Sequence, residues 1–172
     1  LSVEEEATPG AWDVRINYGR RPGEDLVQED LCRDEVLPFC SPSFPAARGK
    51  QPVFTSTASA DLIHTQWGPS FGSNVTWKDW FQHFAPRERI DMTAGHGVNA
   101  SRAALALAAA GAGIALGQTL LARQALKDGR LVALSEQSLP LGQSYVIAVP
   151  TARHRQADVQ ALVKWLLQEA AG

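Results

Sequence analysis

The chain has 172 residues, 45% apolar and 20% charged, enough to bury a core as one domain or as two small lobes, which excludes a disordered chain. Its formal net charge is -2, and its Lys and Arg residues are scattered. Without a cationic excess to neutralise phosphates, this segment is not expected to bind nucleic acid by itself.

The first third reads as extended segments between breakers. Asp13 to Asn17 is a predicted strand ahead of Gly19, and Val36 to Cys40 is a second, ahead of Ser41, Pro42 and Pro45. Pro38 lies inside the second strand and cannot donate to a ladder, so it requires an edge or a bulge. From Gln51 to Ala60 the Pro, Ser and Thr content predicts a loop or short helix. Leu62 to Trp67 then reads as a strand ending at Gly68-Pro69. Trp77, Trp80, Phe81 and Phe84 follow at i, i+3, i+4 and i+7, one face of a helix, and are read as core.

Arg89 to Leu134 is the most informative stretch. Arg89 to Thr93 is a predicted strand, Gly95-His96-Gly97 a flexible turn, and Asn99 or Ser101 the cap of a helix running to Ala110. Gly111 and Gly113 break that helix before a short buried strand, Ile114 to Leu116. Gln118 or Thr119 opens the next helix, which carries Leu120, Leu121, Ala125 and Leu126; Gly129 closes it before Leu131 to Leu134. Alternating strands and helices predict a parallel sheet with helices on its faces. After a loop at Gln137 to Gly142, Tyr145 to Val149 is a strand stopped by Pro150. The chain ends in a helix with Val159, Leu162, Val163 and Leu166 on one face.

The order of these signals resembles the effector-binding domain of LysR-type transcriptional regulators, in particular the group typified by the glycine-cleavage regulator. Four ordered segments carry the resemblance: DVRINYG (Asp13 to Gly19), VLPFCSPS (Val36 to Ser43), AGAGIALGQTLLARQALKDGRLVAL (Ala110 to Leu134), and Tyr145 to Pro150 with the end helix. Gly111 and Gly113 have a physical reason of their own, because a helix that turns directly into a buried strand needs positive backbone angles or close approach. A dinucleotide fingerprint would place a strand before the glycines and a helix after them, the reverse of the order here.

The resemblance implies an α/β fold of two Rossmann-like lobes with a ligand cleft, like type 2 periplasmic binding proteins. Residues 1–35 and 140–172 would form the first lobe and residues 36–139 the second. It implies a small-molecule effector, an organic acid or amino-acid-like metabolite, and a homodimer or higher homo-oligomer. DNA would be contacted only through a helix-turn-helix domain, which this sequence lacks. The family's first strand, first helix and most of its second strand have no counterpart before Asp13, so the first lobe is expected to be incomplete.

Ligands of open parallel sheets gather at strand carboxyl ends and helix amino ends. That rule selects Tyr18 and Gly19, then Thr65, Gln66 and Trp67, then His96, Val98 and Asn99, and Gln118. The alternatives stand beside these readings: Asn99 as an N-cap, His96 as a solvated loop residue and Trp67 as core.

No catalytic residue, metal site or cofactor is expected. His64, His83, His96 and His154 match no ligand spacing, no Ser sits in a GxSxG elbow, and Cys40 has no sequence-local partner. Cys32 and Cys40 read as reduced thiols. The chain has no membrane-length apolar run, and its acidic start is unlike a signal peptide, so the expected location is cytoplasmic. The rival reading is a periplasmic-type solute-binding protein for a small organic anion or amino acid. An enzyme built on a porphobilinogen-deaminase-like pair of lobes is the third reading, and the sequence offers no cofactor-bearing Cys or charged cluster for it.

Overall fold

A computed structural model describes residues 12–21, 25–48, 59–66 and 74–171. The chain forms two compact units, Leu1–Arg33 with Gln143–Gly172, and Asp34–Gly142.

In unit 1, three antiparallel strands pair in the order β1 (Arg15–Tyr18), β9 (Tyr145–Pro150), β2 (Leu26–Cys32). Val146 to Val149 are all buried, so the central strand is covered on both faces. Helix α4 (Ala157–Ala171) packs Val159 and Val163 against Ile147 and Val149, with Val14, Leu31, Leu166 and Leu167 around them. The buried stripe is therefore Val159, Val163, Leu166 and Leu167. The predicted face included Leu162, which is 43% exposed, as is Trp165 at 53%. At 100° per residue Leu162 lies on the flank of that stripe, and Leu167 takes the place assigned to it.

Unit 2 holds a larger sheet in the order β5 (His96–Val98), β4 (Leu62–Thr65), β6 (Ile114–Gln118), β3 (Glu35–Cys40), β7 (Val132–Ala133), with β8 (Leu139–Pro140) also paired to β3. Strands β4, β5 and β6 are parallel, but β3 runs antiparallel to β6 and to β7, so the sheet is mixed rather than parallel throughout. Strand β3 lies between β6 and β7, the two mutually parallel strands that helix α3 (Thr119–Lys127) connects, and runs against both.

Pro38 is accommodated by direction. Its carbonyl accepts from Leu134 N at 2.9 Å, and the N and O of one residue in an antiparallel strand point to the same side. The missing donor therefore faces the sheet border, where β7 and β8 contribute two residues each.

Three local expectations are corrected. Arg89 to Thr93 forms no strand, because Asp91 bends it: its Oδ1 accepts from Thr93 N at 2.9 Å and from Thr93 Oγ1 at 2.6 Å. The strand instead begins at His96 and includes Gly97, read from the sequence as a turn; both pair with β4. Helix α2 (Ser101–Ala109) has Ala100 at its N-cap with no side-chain cap, so neither Asn99 nor Ser101 fills that role.

The core of unit 2 joins Phe39, Ile63, Ala104, Leu105, Ala108, Ala115, Ala122 and Leu131. Ala104 and Ala108, both fully buried, let α2 approach the sheet closely. Gly111 turns the chain at φ +83°, and a Cβ on Gly113 would stand 2.3 Å from the Asp61 carbonyl oxygen, so the glycine pair is a packing device. Helix α1 (Trp77–Phe84) buries Trp77, Trp80 and Phe81, and Trp77 Nε1 donates to Ile63 O at 3.0 Å. Its start is held by Asp79 Oδ2, which accepts from Thr76 N at 2.8 Å and Thr76 Oγ1 at 2.6 Å.

Candidate functional site

Parallel pairing brings the carboxyl ends of β4, β5 and β6 to one edge of unit 2. Thr65 pairs with Val98, and Ile63 with Ala115, so Gln118 ends β6 close to the level of Thr65. Gln66 N donates to Val98 O at 2.7 Å, which carries the pairing one residue beyond β4. The Gln66 side chain lies against Gly97: a Cβ there would meet Gln66 Nε2 at 3.0 Å. Thr65 Oγ1 is buried and has no hydrogen-bond partner among the described residues. Asn99 is exposed just beyond β5.

Two helices begin at this edge. The first turn of α2 has no side-chain cap from its N-cap residue Ala100 and no acidic residue of its own, so among the described residues no carboxylate of that turn offsets the positive end of the helix dipole. The start of α3 is occupied. Asp34 Oδ1 accepts from Thr119 Oγ1 at 2.5 Å, from Leu120 N at 3.3 Å and from Glu35 N at 2.8 Å. Because β3 is antiparallel, its first residues lie at the same edge, with Val36 opposite Gln118. Asp34 is 4% exposed and Gln118 6%.

The edge thus gathers Thr65, Gln66, Val98, Asn99 and Gln118. His96 starts β5 opposite Ile63, two residues back from the edge, and is exposed. Trp67 lies outside the described residues. Tyr18 and Gly19 end β1 in unit 1, where Tyr18 Oη accepts from Gln143 N at 3.2 Å and Gly19 N donates to Ser144 O at 2.8 Å. The rings of Tyr18 and Tyr145 meet edge-on at 5.7 Å.

Sequence reasoning named Thr119 only as a candidate opener of α3, and missed Asp34 and its contact with Thr119. They are 85 positions apart, and only the pairing of β3 with β6 reveals their contact. Cys40 is buried, and burial pushes its thiol pKa up to about 11, so the neutral form dominates. Neither Cys32 nor Cys40 is in a disulfide among the described residues. Among the described residues no group of three or more His, Cys, Asp or Glu side chains could hold a metal ion, and no helix is long and apolar enough to cross a membrane.

The edge thus joins strand ends, polar side chains and two helix starts of a mixed α/β sheet. The sequence profile of the family described as LysR substrate binding domain matches residues 2–171, and the chain belongs to that family, a regulatory and non-enzymatic one. Among similar proteins, the HTH-type transcriptional regulator DsdC of Escherichia coli (strain K12) is 26% identical over 162 residues, 91% of this chain and 50% of that protein. The glycine cleavage system transcriptional activator of the same strain is 26% identical over 163 residues, 92% of this chain and 50% of that protein. The chain spans about half the length of these relatives.

Among solved structures, the AmpR effector binding domain from Citrobacter freundii matches with a TM-score of 0.69 at 22% identity, over 92% of this chain and 74% of that one. The CrgA regulatory domain from Neisseria meningitidis matches with a TM-score of 0.63 at 13% identity, over 92% of this chain and 75% of that one. These likenesses establish the fold, which is that of type 2 periplasmic binding proteins.

Proposed function

We propose that this chain senses a small metabolite on behalf of a LysR-type transcriptional regulator. The effector is an organic acid or amino-acid-like molecule, and it controls DNA binding through a helix-turn-helix domain of the parent protein. The parent acts in the cytoplasm as a homodimer or higher homo-oligomer. The observation that carries this reading is the convergence of Thr65, Val98 and Gln118 beside the uncapped start of α2. First-turn N–H groups and a positive dipole end suit a carboxylate, while the amide of Gln118 and the hydroxyl of Thr65 suit its polar substituents. An effector changes the regulator only through unequal affinity for two arrangements of the protein. The names of the relatives, all transcriptional regulators, favour this role over solute delivery to a transporter.

Isothermal titration of the chain with pools of amino acids and of small carboxylic acids tests the proposal. One pool is expected to bind, and Gln118→Ala and Thr65→Val each to weaken that binding about tenfold, the worth of one or two buried hydrogen bonds. Heat released equally by wild type and both variants would remove this edge from consideration. No binding from either pool would count against the sensing role.

A further inference from the structure

Three stretches far apart in sequence meet at one buried residue, Asp34, two at its carboxylate and one at its backbone carbonyl. The chain enters unit 2 at Asp34 and leaves it after Gly142. The Asp34 side chain takes hydrogen bonds from the start of β3, through Glu35 N, and from the start of α3, through Thr119 Oγ1 and Leu120 N. Its backbone carbonyl accepts from Leu141 N at 2.9 Å, one residue before the unit ends. Neighbouring contacts reinforce the same junction: Glu35 pairs with Pro140, Val36 with Leu139 and with Gln118, and Ser138 Oγ donates to Glu35 Oε2 at 2.5 Å.

We propose that Asp34 is a positioning residue of the effector edge, holding the first turn of α3, and Gln118 with it, in register with the two points where the chain enters and leaves unit 2. This rests on the effector reading of the edge and adds the residue that sets its geometry. The physical argument is one of donors and charge. Helix α3 has no acidic residue in its first turn and no cap from Gln118, its N-cap residue, so the anion at its positive end comes from Asp34, the residue before β3. Without that carboxylate the Thr119 hydroxyl and the Leu120 N–H lose their acceptor, the first turn frays, and the residue immediately before it is no longer held. Because the same residue is bonded to Leu141, a ligand group that draws on Gln118 works against an anchor shared with the chain's exit from the unit.

Amide hydrogen exchange of the full chain, read by NMR for wild type, D34A, D34N, T119V and T119S, tests this. Without any ligand, D34A and T119V are expected to exchange at least about fivefold faster at Gln118 and Leu120, while T119S, which keeps the hydroxyl, stays within about twofold of wild type. D34N, a neutral acceptor, is expected between them. Val163 in α4 should not change, which separates loss of positioning from loss of folding; T119V serves if D34A does not fold.

The probes are then a pool of the twenty proteinogenic amino acids and a pool of acetate, succinate and citrate. Wild type with a binding pool is expected to gain protection at Gln118 and Leu141 together. In T119V binding should weaken about fivefold and the Leu141 response should vanish while that at Val98 remains. Exchange at Gln118 and Leu120 within about twofold of wild type in both D34A and T119V would overturn the proposal. Failure of both pools to bind would overturn the sensing role instead, with the ligand-free exchange still deciding the place of Asp34.

Discussion

The indole N–H of Trp77 donates to the carbonyl of Ile63 at 3.0 Å inside the core, so helix α1 is keyed to the strand that ends at Thr65. Trp77 is 2% exposed. Trp77→Phe leaves that carbonyl without its partner and opens a small void, and should cost about 2–3 kcal/mol in urea unfolding. A loss below about 0.5 kcal/mol would mean that the hydrogen bond contributes nothing net.

Helix α4 distinguishes a buried seam from its flank. Val163→Ala is expected to cost about 2 kcal/mol, because two methyl groups leave a packed cluster. Leu162→Ser and Trp165→Ser, at positions that are exposed, should each cost less than about 0.5 kcal/mol in the same urea unfolding series. The opposite ranking would contradict the buried face of Val159, Val163, Leu166 and Leu167.

That face shows what the sequence could and could not convey. The apolar spacing in α4 announces an amphipathic helix, but Leu162 and Leu167 are equally good leucines, and only the sheet beneath decides between them. Trp77, Trp80 and Phe81, and the Gly111 and Gly113 break, were legible because each satisfies a local geometric rule. The strand at His96 to Val98 was not: with two of its residues exposed and one a glycine, it owes its form to pairing with β4. Arg89 to Thr93 looked extended because the turn built by Asp91 carries no apolar signature. At the candidate site, Thr65, Val98 and Gln118 were found by a rule about strand ends, whereas Asp34 was hidden because its partner is remote in sequence.

Two glycines should respond differently to the same change. Gly113→Ala places a methyl 2.3 Å from a backbone oxygen and should cost more than about 3 kcal/mol or abolish folding. Gly129→Ala meets no atom within 4 Å but keeps a φ of +68°, so only the left-handed penalty of about 1–2 kcal/mol is expected. Urea midpoints for the two variants decide; equal losses would refute the crowding assigned to Gly113.

Acid should weaken α1 through Asp79. Burial alone would raise its pKa, but the hydrogen bonds from the Thr76 hydroxyl and amide, with its own backbone N–H and Lys78, hold it below the usual carboxylate value. A folded pKa below the unfolded one means that the stabilisation is full above the unfolded pKa, near about 4, and is lost as pH falls through the folded value. Wild type and Asp79→Asn should therefore differ in urea midpoint at neutral pH and converge as pH drops below about 4. A gap that persists to strong acid would show that the charge is not involved.

Cys40 should resist alkylation. Its side chain is inaccessible and its thiol is held neutral by burial, so iodoacetamide at pH about 8 should label Cys32 at least about tenfold faster, with Cys40 reacting only in urea. Peptide mass mapping reads both sites, and equal labelling of the folded chain would contradict the packing of β3.

Pro38 has an effect on association as well as on pairing. By withholding a donor between β7 and β8, it keeps that margin of the sheet as two stubs of two residues each. A foreign strand laid along the margin would meet interrupted polar groups where zipping needs a continuous row, a geometry that disfavours sheet-to-sheet growth at that side.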